Sequence, residues 1–502
     1  MRTLACLLLA AGLAAAASEP VHLIVLHTND LHGQLRPLPP SRSRKLLRGG
    51  AVGGSAYLAT MVREARAKAV RSGAALLLID AGDLFQGTPI GNESHGDAVI
   101  DLMNELHYDA VELGNHEFDF GVKNLLRLVE RANFPVLAAN AAGVKGPLRG
   151  VLPYVVIGPP KLPLRVAVIG VITPQTPQMT TPNLVDQVRF SDPAPAINAL
   201  RKEVSADFYI VLSHLGVRDD LELARRVKGI DLIVGGHSHT PMQKVVNSIL
   251  VVQAAAHGMA LGRVDFELDP EGWKLISRRA RLLTVDPAKT RPDLAVSAII
   301  AKYAAGLDAA MQRVIGRLTA PATRKRGYAS SPAGNWMADV IRRVGKARIG
   351  IMNKGGIRTD LDAGPITAGD IYRLMPFTNT VVSMDLTGAQ VRALLVRSFE
   401  QGPPLEWSGL TARARRQEKG YALESVRIGS KPIEESAIYR VATNSFLARG
   451  GDGFDLFEQG TRALDTGILL REALAADLEA RSPLTPPSDR RLQVLLPARQ
   501  GR

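Results

Sequence analysis

Short apolar runs alternate with longer amphipathic segments along the first half of the chain. Each run is rich in Val, Ile and Leu and is shorter than a typical helix, as expected for a strand buried between two layers. We predict strands at His22 to Leu26, Ala74 to Ile79, Ala110 to Glu112, Val166 to Val171, Phe208 to Leu212 and Asp231 to Val234. The segments Tyr57 to Val70 and Lys123 to Ala132 carry apolar residues at helical spacing. The pattern therefore predicts an α/β fold.

Hydrophobic spacing also predicts how two domains are joined. From Pro292 onward, apolar residues recur every three to five positions, and only Gly306 interrupts them, which a helix tolerates. A chain of 502 residues exceeds what one core usually organises, so two domains are expected. We predict a first domain at 18–287, a long connecting helix at 288–315 and a smaller α/β domain at 316–502.

Composition excludes several classes of protein. With 46% hydrophobic and 22% charged residues, the chain is neither a disordered tail nor a collagen-like or disulfide-dense scaffold. The formal net charge of +14 attracts anions in general and identifies none of them. Nucleic-acid binding is therefore only a weak alternative, and we expect no stable nucleic-acid partner. The sequence predicts no particular oligomeric state.

The N-terminal residues differ from the rest of the chain. Arg2 is followed by an apolar run from Leu4 to Ala17, which is typical of a secretory signal peptide at 1–17. The only cysteine, Cys6, lies within this segment, so no disulfide is expected after its removal. No later run reaches the roughly 18 apolar residues of a membrane span, and the C-terminus is too short and too basic for a removable anchor. We therefore expect an exported protein, periplasmic or extracellular, with no transmembrane or lipid anchor.

Polar clusters follow the predicted strands, and all ten histidines precede residue 258, so metal or acid–base chemistry is expected in the first domain. The clusters contain Asp30 with His32, then Asp83, then Asn115 with His116, then His214, and finally His237 with His239. In an extended segment, residues two apart face the same side, so each spaced pair is expected to reach one cation. Because open α/β sheets bind ligands beyond the carboxyl ends of their strands, the clusters are expected to converge. Mixed Asp, His and Asn donors suit Mn, Zn, Fe or related divalent ions.

Each cluster alone would more often be a turn or a cap, but the ordered set is hard to explain by packing. The series D-x-H, G-D, G-N-H-E, S-H and G-H-x-H resembles the calcineurin-like metallophosphoesterases. Within them it resembles the exported 5′-nucleotidase family, which includes UDP-sugar hydrolases and 2′,3′-cyclic-nucleotide phosphodiesterases. The loops Gly82 to Pro89 and Leu113 to Gly121 look like that family's distinctive loops. The resemblance implies an N-terminal metallophosphoesterase β-sandwich flanked by helices, with a smaller substrate-binding domain after it.

The resemblance also implies roles for the clustered residues. One divalent ion would take Asp30, His32 and His239, a second would take Asn115, His214 and His237, and Asp83 would bridge them. The metals would be Mn, Zn or similar. His116 would steady the phosphoryl group or protonate the leaving oxygen, and Asp119 would orient its imidazole. Position 239 departs from the family's nucleotidases, which often carry Asn or Gln there.

The remaining histidines are interpreted as structural, because no cluster includes them. They are His22, His27, His95, His107 and His257.

In the second domain, the segment Asn353 to Arg358 offers glycines for close backbone approach and a guanidinium suited to an oxyanion. Alone it would more often be a turn, and Phe377 and Phe446 would more often be core residues. The resemblance implies instead that the two phenylalanines stack on a nucleobase. It implies that Asp452 fixes the ligand, and that Asn353 and Arg358 contact the nucleoside or its charged groups.

One departure in the second domain leaves a role open. The family usually has an arginine and a glutamate before Gly-Asn, whereas Thr323 to Ser331 contains no acidic residue before Gly334-Asn335. Which of the arginines at 324–326 takes the corresponding role is left open.

We therefore predict metal-dependent hydrolysis of extracytoplasmic nucleotides, most readily of a nucleoside 5′-monophosphate to nucleoside and phosphate. UDP-sugar or 2′,3′-cyclic-nucleotide cleavage is the next alternative, and thiosulfohydrolase activity ranks below both. A non-catalytic exported protein that binds nucleotides or a surface is the alternative outside enzymes.

Overall fold

Two β-sheets packed face to face form the centre of the first domain. The computed structural model describes residues 19–39, 50–159, 162–180, 185–324, 327–400, 405–417 and 420–495. The core between the sheets consists of apolar side chains that alternate along strands of both, including Leu23, Val25, Leu77, Val168, Phe208, Leu212, Leu232 and Val264. Burying such side chains stabilises the fold by about 25 cal/mol per Å² of apolar surface.

The first sheet has seven strands, parallel except at one edge. Their spatial order is Leu275–Thr284, Ala260–Leu268, Val21–Thr28, Ala75–Asp80, Ala110–Glu112, Val136–Leu137 and Val151–Leu152. The first two pair antiparallel, and Ala260–Leu268 is also antiparallel to Val21–Thr28. The carboxyl ends of the parallel strands therefore lie at one edge, where Asp30, Asp83 and Asn115 follow them.

The second sheet has six strands. Their order is Met242–Val246, Ile249–Gln253, Leu232–Gly235, Phe208–His214, Val166–Ile172 and Tyr154–Ile157. The four central strands are parallel, and the two outer ones pair antiparallel. All six predicted strands are confirmed to within two residues at either end. The antiparallel strands of both sheets were not predicted, nor were the parallel strands Ile249–Gln253, Val136–Leu137 and Val151–Leu152.

Helices cover the outer face of each sheet. The seven-stranded sheet is covered by Ser55–Ser72, Pro89–Glu93, Asp97–Glu105, Gly121–Arg131 and Leu294–Ala304. The six-stranded sheet is covered by Pro193–Glu203 and Val217–Arg226. The sandwich flanked by helices is thus the predicted architecture. Within the described parts of the chain, none of the helices combines the length and the apolar character of a membrane span.

The connection between the domains consists of two helices rather than the single long helix predicted. Leu294–Ala304 begins after Asp293, whose side chain accepts a hydrogen bond from the Val296 backbone N–H. It ends because Ala305 is non-helical and Gly306 has a left-handed φ of 83°. The second helix, Leu307–Gln312, leads into the strand Val314–Leu318. A helix can tolerate a glycine, but the left-handed Gly306 separates two helices here.

The second domain is also α/β. A five-stranded sheet has the order Glu406–Ser408, Ile349–Met352, Ile438–Asn444, Thr380–Thr387 and Thr461–Leu469. A four-stranded sheet has the order Lys431–Pro432, Tyr421–Ile428, Leu410–Arg416 and Leu492–Leu495. The principal helices are Pro332–Val344, Ala368–Leu374, Gly388–Glu400 and Leu470–Arg481. The first of them is capped by Ser331, whose hydroxyl accepts from the Gly334 N–H.

A buried acid in the first domain makes stability depend on pH. Glu112 is fully buried, and neither carboxyl oxygen has a partner of good geometry among the described residues. Burial raises its pKa well above the usual range. The stabilising effect of the neutral acid is therefore fully present below the unfolded-state pKa and is lost as pH rises toward the folded-state pKa.

Glu112→Gln should remove that dependence, because the amide does not ionise. Between the two pKa values, the free energy of unfolding of the native protein should fall relative to Glu112→Gln by about 1.4 kcal/mol per pH unit. Urea denaturation from pH 4 to 9 measures this difference. The exposed Glu130→Gln is the control and should follow the native curve. Parallel curves for Glu112→Gln and native protein would contradict the prediction.

Candidate active site

Two groups of acidic and imidazole side chains meet beyond the strand ends of the first domain. One contains Asp30, His32, Asp83 and His239, and the other contains Asp83, His214 and His237. Within each group, one donor atom of every residue lies within 4.8 Å of the others. Asp83 belongs to both groups.

The donor atoms point toward common positions. His214 Nε2 lies 3.2 Å and His32 Nε2 lies 3.7 Å from Asp83 Oδ2. His239 Nε2 lies 3.3 Å from Asp30 Oδ1 and 2.9 Å from His32 Nε2. Five side chains from four separate stretches of the sequence thus surround two adjacent positions.

Hydrogen bonds fix which nitrogen of two imidazoles faces the site. His32 Nδ1 lies 2.8 Å from the Gln86 carbonyl, and His214 Nδ1 lies 2.6 Å from the Ala81 carbonyl. A carbonyl only accepts, so each Nδ1 carries a proton and each Nε2 is the nitrogen that faces the site. This is the arrangement by which metal-ligating histidines are oriented.

Orphaned polar atoms show that this donor set fits cations. Among the described residues, Asn115 Oδ1, His214 Nε2 and His237 Nδ1 are buried without a hydrogen-bond partner. Buried polar atoms are rarely left unpaired, and amide oxygen, imidazole nitrogen and carboxylate are all ligands of divalent metals. The residues present therefore fit two such ions.

Left-handed backbone, rather than extended strand, brings these side chains together. The strand Val21–Thr28 ends before Asp30, and Asp30 and His32 have φ of 52° and 50°. Asp83, His237 and His239 are also left-handed, at 58°, 71° and 52°. Asp30 and His32 do belong to the same ligand group, as predicted. A turn brings them together, and not the extended strand that their spacing suggested. Strained backbone of this kind is concentrated at functional sites.

The charge of Asp83 is balanced by its neighbours. Burial favours its neutral form, but His214, His116 and His32 hold the pKa of Asp83 well below its usual range. Burial likewise disfavours protonated His214, yet Asp83 raises the pKa of His214 to about 10. The site therefore contains a carboxylate that stays ionised.

His116, which belongs to neither group, can act as an acid or a base. His116 lies in the short 3-10 helix Asn115–Phe118, and its backbone N–H donates to Asp83 Oδ1 at 3.0 Å. Its Nδ1 lies 2.6 Å from Asp119 Oδ2, which leaves Nε2 for the cavity that His116 lines. Burial opposes protonation, but Asp119 and Asp83 raise the pKa of His116. His116 is thus a protonatable group beside the two ligand groups.

Sequence reasoning missed Thr180 and Glu117. The buried Thr180 hydroxyl donates to Asp119 Oδ1 at 2.8 Å, so both oxygens of Asp119 are held. Glu117 accepts from the backbone N–H groups of Asp83, Leu84 and Gly114 and so joins the loops that carry Asp83 and His116. The Gly-Asn-His-Glu sequence contained a signal for Glu117, but nothing near residue 180 indicated contact with residue 119.

Thr180→Val tests whether the hydroxyl positions Asp119. Valine keeps the shape and removes the hydrogen bond, so kcat should fall about fivefold with KM nearly unchanged, and Thr180→Ser should restore it. Steady-state kinetics measure both constants. Thr176→Val is the control, since its hydroxyl donates to the Thr173 carbonyl and not to the site. Native kcat in Thr180→Val would contradict the role.

The histidines interpreted as structural divide into two kinds. His27 is buried, and a Cβ added at Gly262 would collide with its ring, so it packs within the sheet. His95 packs on Phe120 at a ring distance of 5.0 Å. His257, in contrast, lies with its ring centroid 5.4 Å from those of both His32 and His239. Its single occurrence after three alanines gave no signal of this proximity.

The predicted second-domain residues line one cavity with residues of the first domain. The cavity has a volume of about 240 Å³. Its lining includes Asn115, His116, Asp119 and His237 from the first domain and Asn353, Arg358, Phe377, Phe446 and Asp452 from the second. Asn379 lies in it too and was not predicted.

Polar contacts hold the second-domain side of the cavity in place. Asn353 Nδ2 donates to Asp452 Oδ2 at 2.8 Å, and Asn444 donates to Asn353 Oδ1 at 2.9 Å. Burial raises the pKa of Asp452 to about 6. Arg324 donates to the Ile357 carbonyl, while the other two candidate positions, 325 and 326, lie outside the described residues.

The second domain reaches the ligand groups of the first. Arg358 Nη2 lies 3.4 Å from His32 Nε2, and its guanidinium lies 5.7 Å from the ring centre of Phe377. Asn92 donates to the Pro376 carbonyl at 2.8 Å, and the Tyr372 hydroxyl donates to Glu93 at 3.1 Å. A cationic side chain therefore faces the same space as the imidazoles.

Fold and site together are those of a two-domain metal-dependent phosphoesterase. Residues 23–241 match the family described as calcineurin-like phosphoesterase, which uses two divalent metals, and residues 314–459 match the 5′-nucleotidase C-terminal domain. The 5′-nucleotidase of Homo sapiens is 30% identical over 526 residues, covering 93% of this chain and 90% of the human protein. The crystal structure of a 5′-nucleotidase precursor from Thermus thermophilus has a TM-score of 0.86 and 32% identity, covering 94% of this chain and 99% of that one. The chain belongs to the 5′-nucleotidase family.

Other relatives are much longer than this chain. Endonuclease YhcR and the trifunctional nucleotide phosphoesterase protein YfkN, both of Bacillus subtilis, are each 30% identical, and the matches cover 86% and 95% of this chain. The chain spans only 37% and 35% of their lengths.

Proposed function

We propose that the protein hydrolyses nucleotides by metal-dependent phosphoester cleavage, most readily a nucleoside 5′-monophosphate to nucleoside and phosphate. One observation carries the proposal. A single cavity is lined by Asn115, His116 and His237 of the first domain and by Phe377 and Phe446 of the second. Phosphoryl chemistry and an aromatic binding surface are thus within reach of one small ligand.

Seven residues hold the metals in this proposal. Asp30, His32 and His239 would hold one ion, Asn115, His214 and His237 would hold the other, and Asp83, which belongs to both ligand groups, would be shared. When bound, two divalent ions supply a water of lowered pKa and neutralise charge on the phosphoryl oxygens. His239 would give the first ion a second imidazole ligand beside His32.

His116 and Arg358 act on the phosphoryl group. His116 Nε2 steadies the transition state or gives a proton to the leaving oxygen, while Asp119 keeps the proton on Nδ1 and fixes the ring. Thr180 holds Asp119 in turn. Arg358, beside His32, adds positive charge where the phosphoryl group gains negative charge.

The second domain selects the nucleoside. Phe377 and Phe446, which both line the cavity, stack on the base, a contact worth about 1–3 kcal/mol per base. Asp452 and Asn353, joined by their hydrogen bond, present polar atoms to the sugar. A nucleotide held in this way places its phosphate toward His116.

Hydrolysis of a panel of substrates tests the proposal, with each substrate followed by its own product: phosphate from AMP, UMP from UDP-glucose, the ring-opened monophosphate from the cyclic nucleotide and sulfate from the thiosulfate conjugate. The protein, loaded with Mn or Zn, is compared on AMP, UDP-glucose, 2′,3′-cyclic AMP and a thiosulfate conjugate. We expect kcat/KM for AMP to exceed the others. A higher value for UDP-glucose, the cyclic nucleotide or the thiosulfate conjugate would replace the proposed substrate by that compound. Nucleotide binding without turnover of any of them would support the non-catalytic alternative.

We further propose that the protein is exported and that its first domain spans 18–287 and its second 316–502. The feature that supports export is the apolar segment at 1–17, which lies outside the described residues. N-terminal sequencing of protein recovered from the extracytoplasmic fraction tests the cleavage near Ala17. A chain that keeps Met1 and stays in the cytoplasm would contradict export.

A further inference from the structure

A largely buried lysine, Lys354, lies directly behind the turn that carries Asn353 and Arg358. Its ammonium, Lys354 Nζ, donates to the carbonyls of Gly327 at 2.9 Å and Ala329 at 2.6 Å, and lies 3.3 Å from Glu406 Oε1. The Lys354 side chain is 10% exposed and that of Glu406 is 0% exposed. Lysine is rarely buried unless its charge is paired. Here the ammonium has both a counter-charge and two carbonyl acceptors.

The same carboxylate joins two further segments. Ser331 donates to Glu406 through its hydroxyl at 2.5 Å and its backbone N–H at 3.3 Å. Ser331 also caps the helix Pro332–Val344. Glu406 pairs with Met352, the last residue of the strand that leads into the turn. One ion pair therefore ties the turn to the preceding loop and to the start of a helix.

Packing leaves this pair little freedom. A Cβ added at Gly334 would collide with the Glu406 side chain, so the first turn of the helix rests directly on the carboxylate. At the far end of the turn, the Arg358 N–H donates to the Leu374 carbonyl at 2.9 Å. The turn is thus anchored at both ends, and the anchor at its beginning is Lys354.

Residues on either side of Lys354 face the cavity. Asn353, Gly355 and Gly356 all line it, whereas Lys354 points to the loop behind. Glycines resist displacement poorly because they have no side chain to pack. Lys354 lies between Asn353 and these two glycines. The position of the cavity wall at Gly355 and Gly356 therefore depends on where Lys354 holds the backbone.

We propose that the Lys354–Glu406 pair positions the nucleoside-binding turn and thereby sets affinity for the nucleoside without acting on the phosphoryl group. The inference rests on the proposed nucleotide specificity. Lys354 is a positioning residue, since it acts through Asn353 and the two glycines. Its loss should alter binding of the nucleoside. Because the backbone N–H of Arg358 is held separately by the Leu374 carbonyl, hydrolysis of a phosphoester without a base should be unchanged.

Three variants test this role: Lys354→Met, Glu406→Gln and the double variant. Each single change leaves one buried charge unpaired, whereas the double variant leaves none, so the double variant should be less impaired than either single one. Calorimetric titration with adenosine reports nucleoside affinity without turnover. Kinetics on AMP and on glycerol phosphate separate KM from kcat. Lys431→Met, on an exposed strand, is the control.

In Lys354→Met, adenosine affinity should fall and the KM for AMP should rise, each about tenfold, with kcat within about twofold of native. Kinetic constants for glycerol phosphate should stay native. The double variant should return to within about threefold of native affinity.

Native adenosine affinity in Lys354→Met would overturn the positioning role of Lys354. Equal losses on AMP and glycerol phosphate, with a lowered melting temperature, would overturn it in favour of general structural damage. Failure of the native protein to bind adenosine would contradict the proposed nucleotide specificity and the inference together.

Discussion

Replacing His116 by alanine should lower kcat for AMP by about a thousandfold and change KM little. The imidazole lines the cavity, is held by Asp119 at 2.6 Å, and belongs to neither ligand group. Its removal should therefore leave bound metal and bound nucleotide in place while removing the proton that the leaving oxygen needs. Kinetics, together with metal analysis of the same sample, measure both effects.

A matched histidine provides the control for this experiment. His95 has the same side chain as His116 but lies against Phe120, outside the ligand groups. His95→Ala should therefore keep kcat within about twofold of native. Loss of metal in His116→Ala would show that its role is in the metal centre. Native kcat in His116→Ala would remove it from the mechanism.

Asp83→Asn should have the second large effect, because Asp83 is the one residue shared by both ligand groups. Its carboxylate lies 3.2 Å from His214 and 3.7 Å from His32, and its pKa is held low so that it remains ionised. An amide removes the negative charge between the two ions. We expect metal content to fall from about two ions per chain to one or fewer, and kcat/KM to fall at least about a thousandfold.

Asp220→Asn is the control for loss of a buried carboxyl group. Asp220 is fully buried, accepts a hydrogen bond from the Ser213 hydroxyl, and has a pKa raised by burial to about 8. Because burial favours the neutral form of its carboxyl, asparagine resembles it in charge as well as in size. Elemental analysis after dialysis should find native metal content in Asp220→Asn. Full metal content in Asp83→Asn would contradict the bridging role.

The sequence predicted the catalytic side of the fold well because the information is local there. A strand buried between two layers must be apolar over its whole length, so the runs around Val25, Leu78 and Val211 were recognisable. Polar residues directly after such runs are conspicuous, and the rule that ligands bind at carboxyl ends predicted their convergence. The outermost strands Met242–Val246 and Leu275–Thr284 lack this contrast, because their residues are exposed or only partly buried.

Backbone conformation was harder to predict. Spacing suggested an extended Asp30 to His32 segment, whereas both residues are left-handed. Gly306 was compatible with a helix on propensity alone, yet it adopts a left-handed φ and separates two helices. Such choices depend on tertiary contacts rather than on local preference.

Long-range polar contacts were not predictable from one sequence. Thr180 meets Asp119 across 61 positions, and Glu406 meets Ser331 across 75. Phe377 and Phe446 read as core residues until the family resemblance indicated a ligand. Only the fold brings such residues together, and the hydrophobic periodicity of the sequence contains no information about these contacts.

Phosphate release from AMP before and after metal removal tests the central claim most directly. Purified protein is treated with a chelator, dialysed, assayed, and assayed again after addition of Mn or Zn, with Asp83→Asn in parallel. We predict that turnover disappears with the metal, returns on its addition, and stays absent in the variant. Turnover of AMP that persists in fully metal-depleted protein would contradict a metal-dependent nucleotidase.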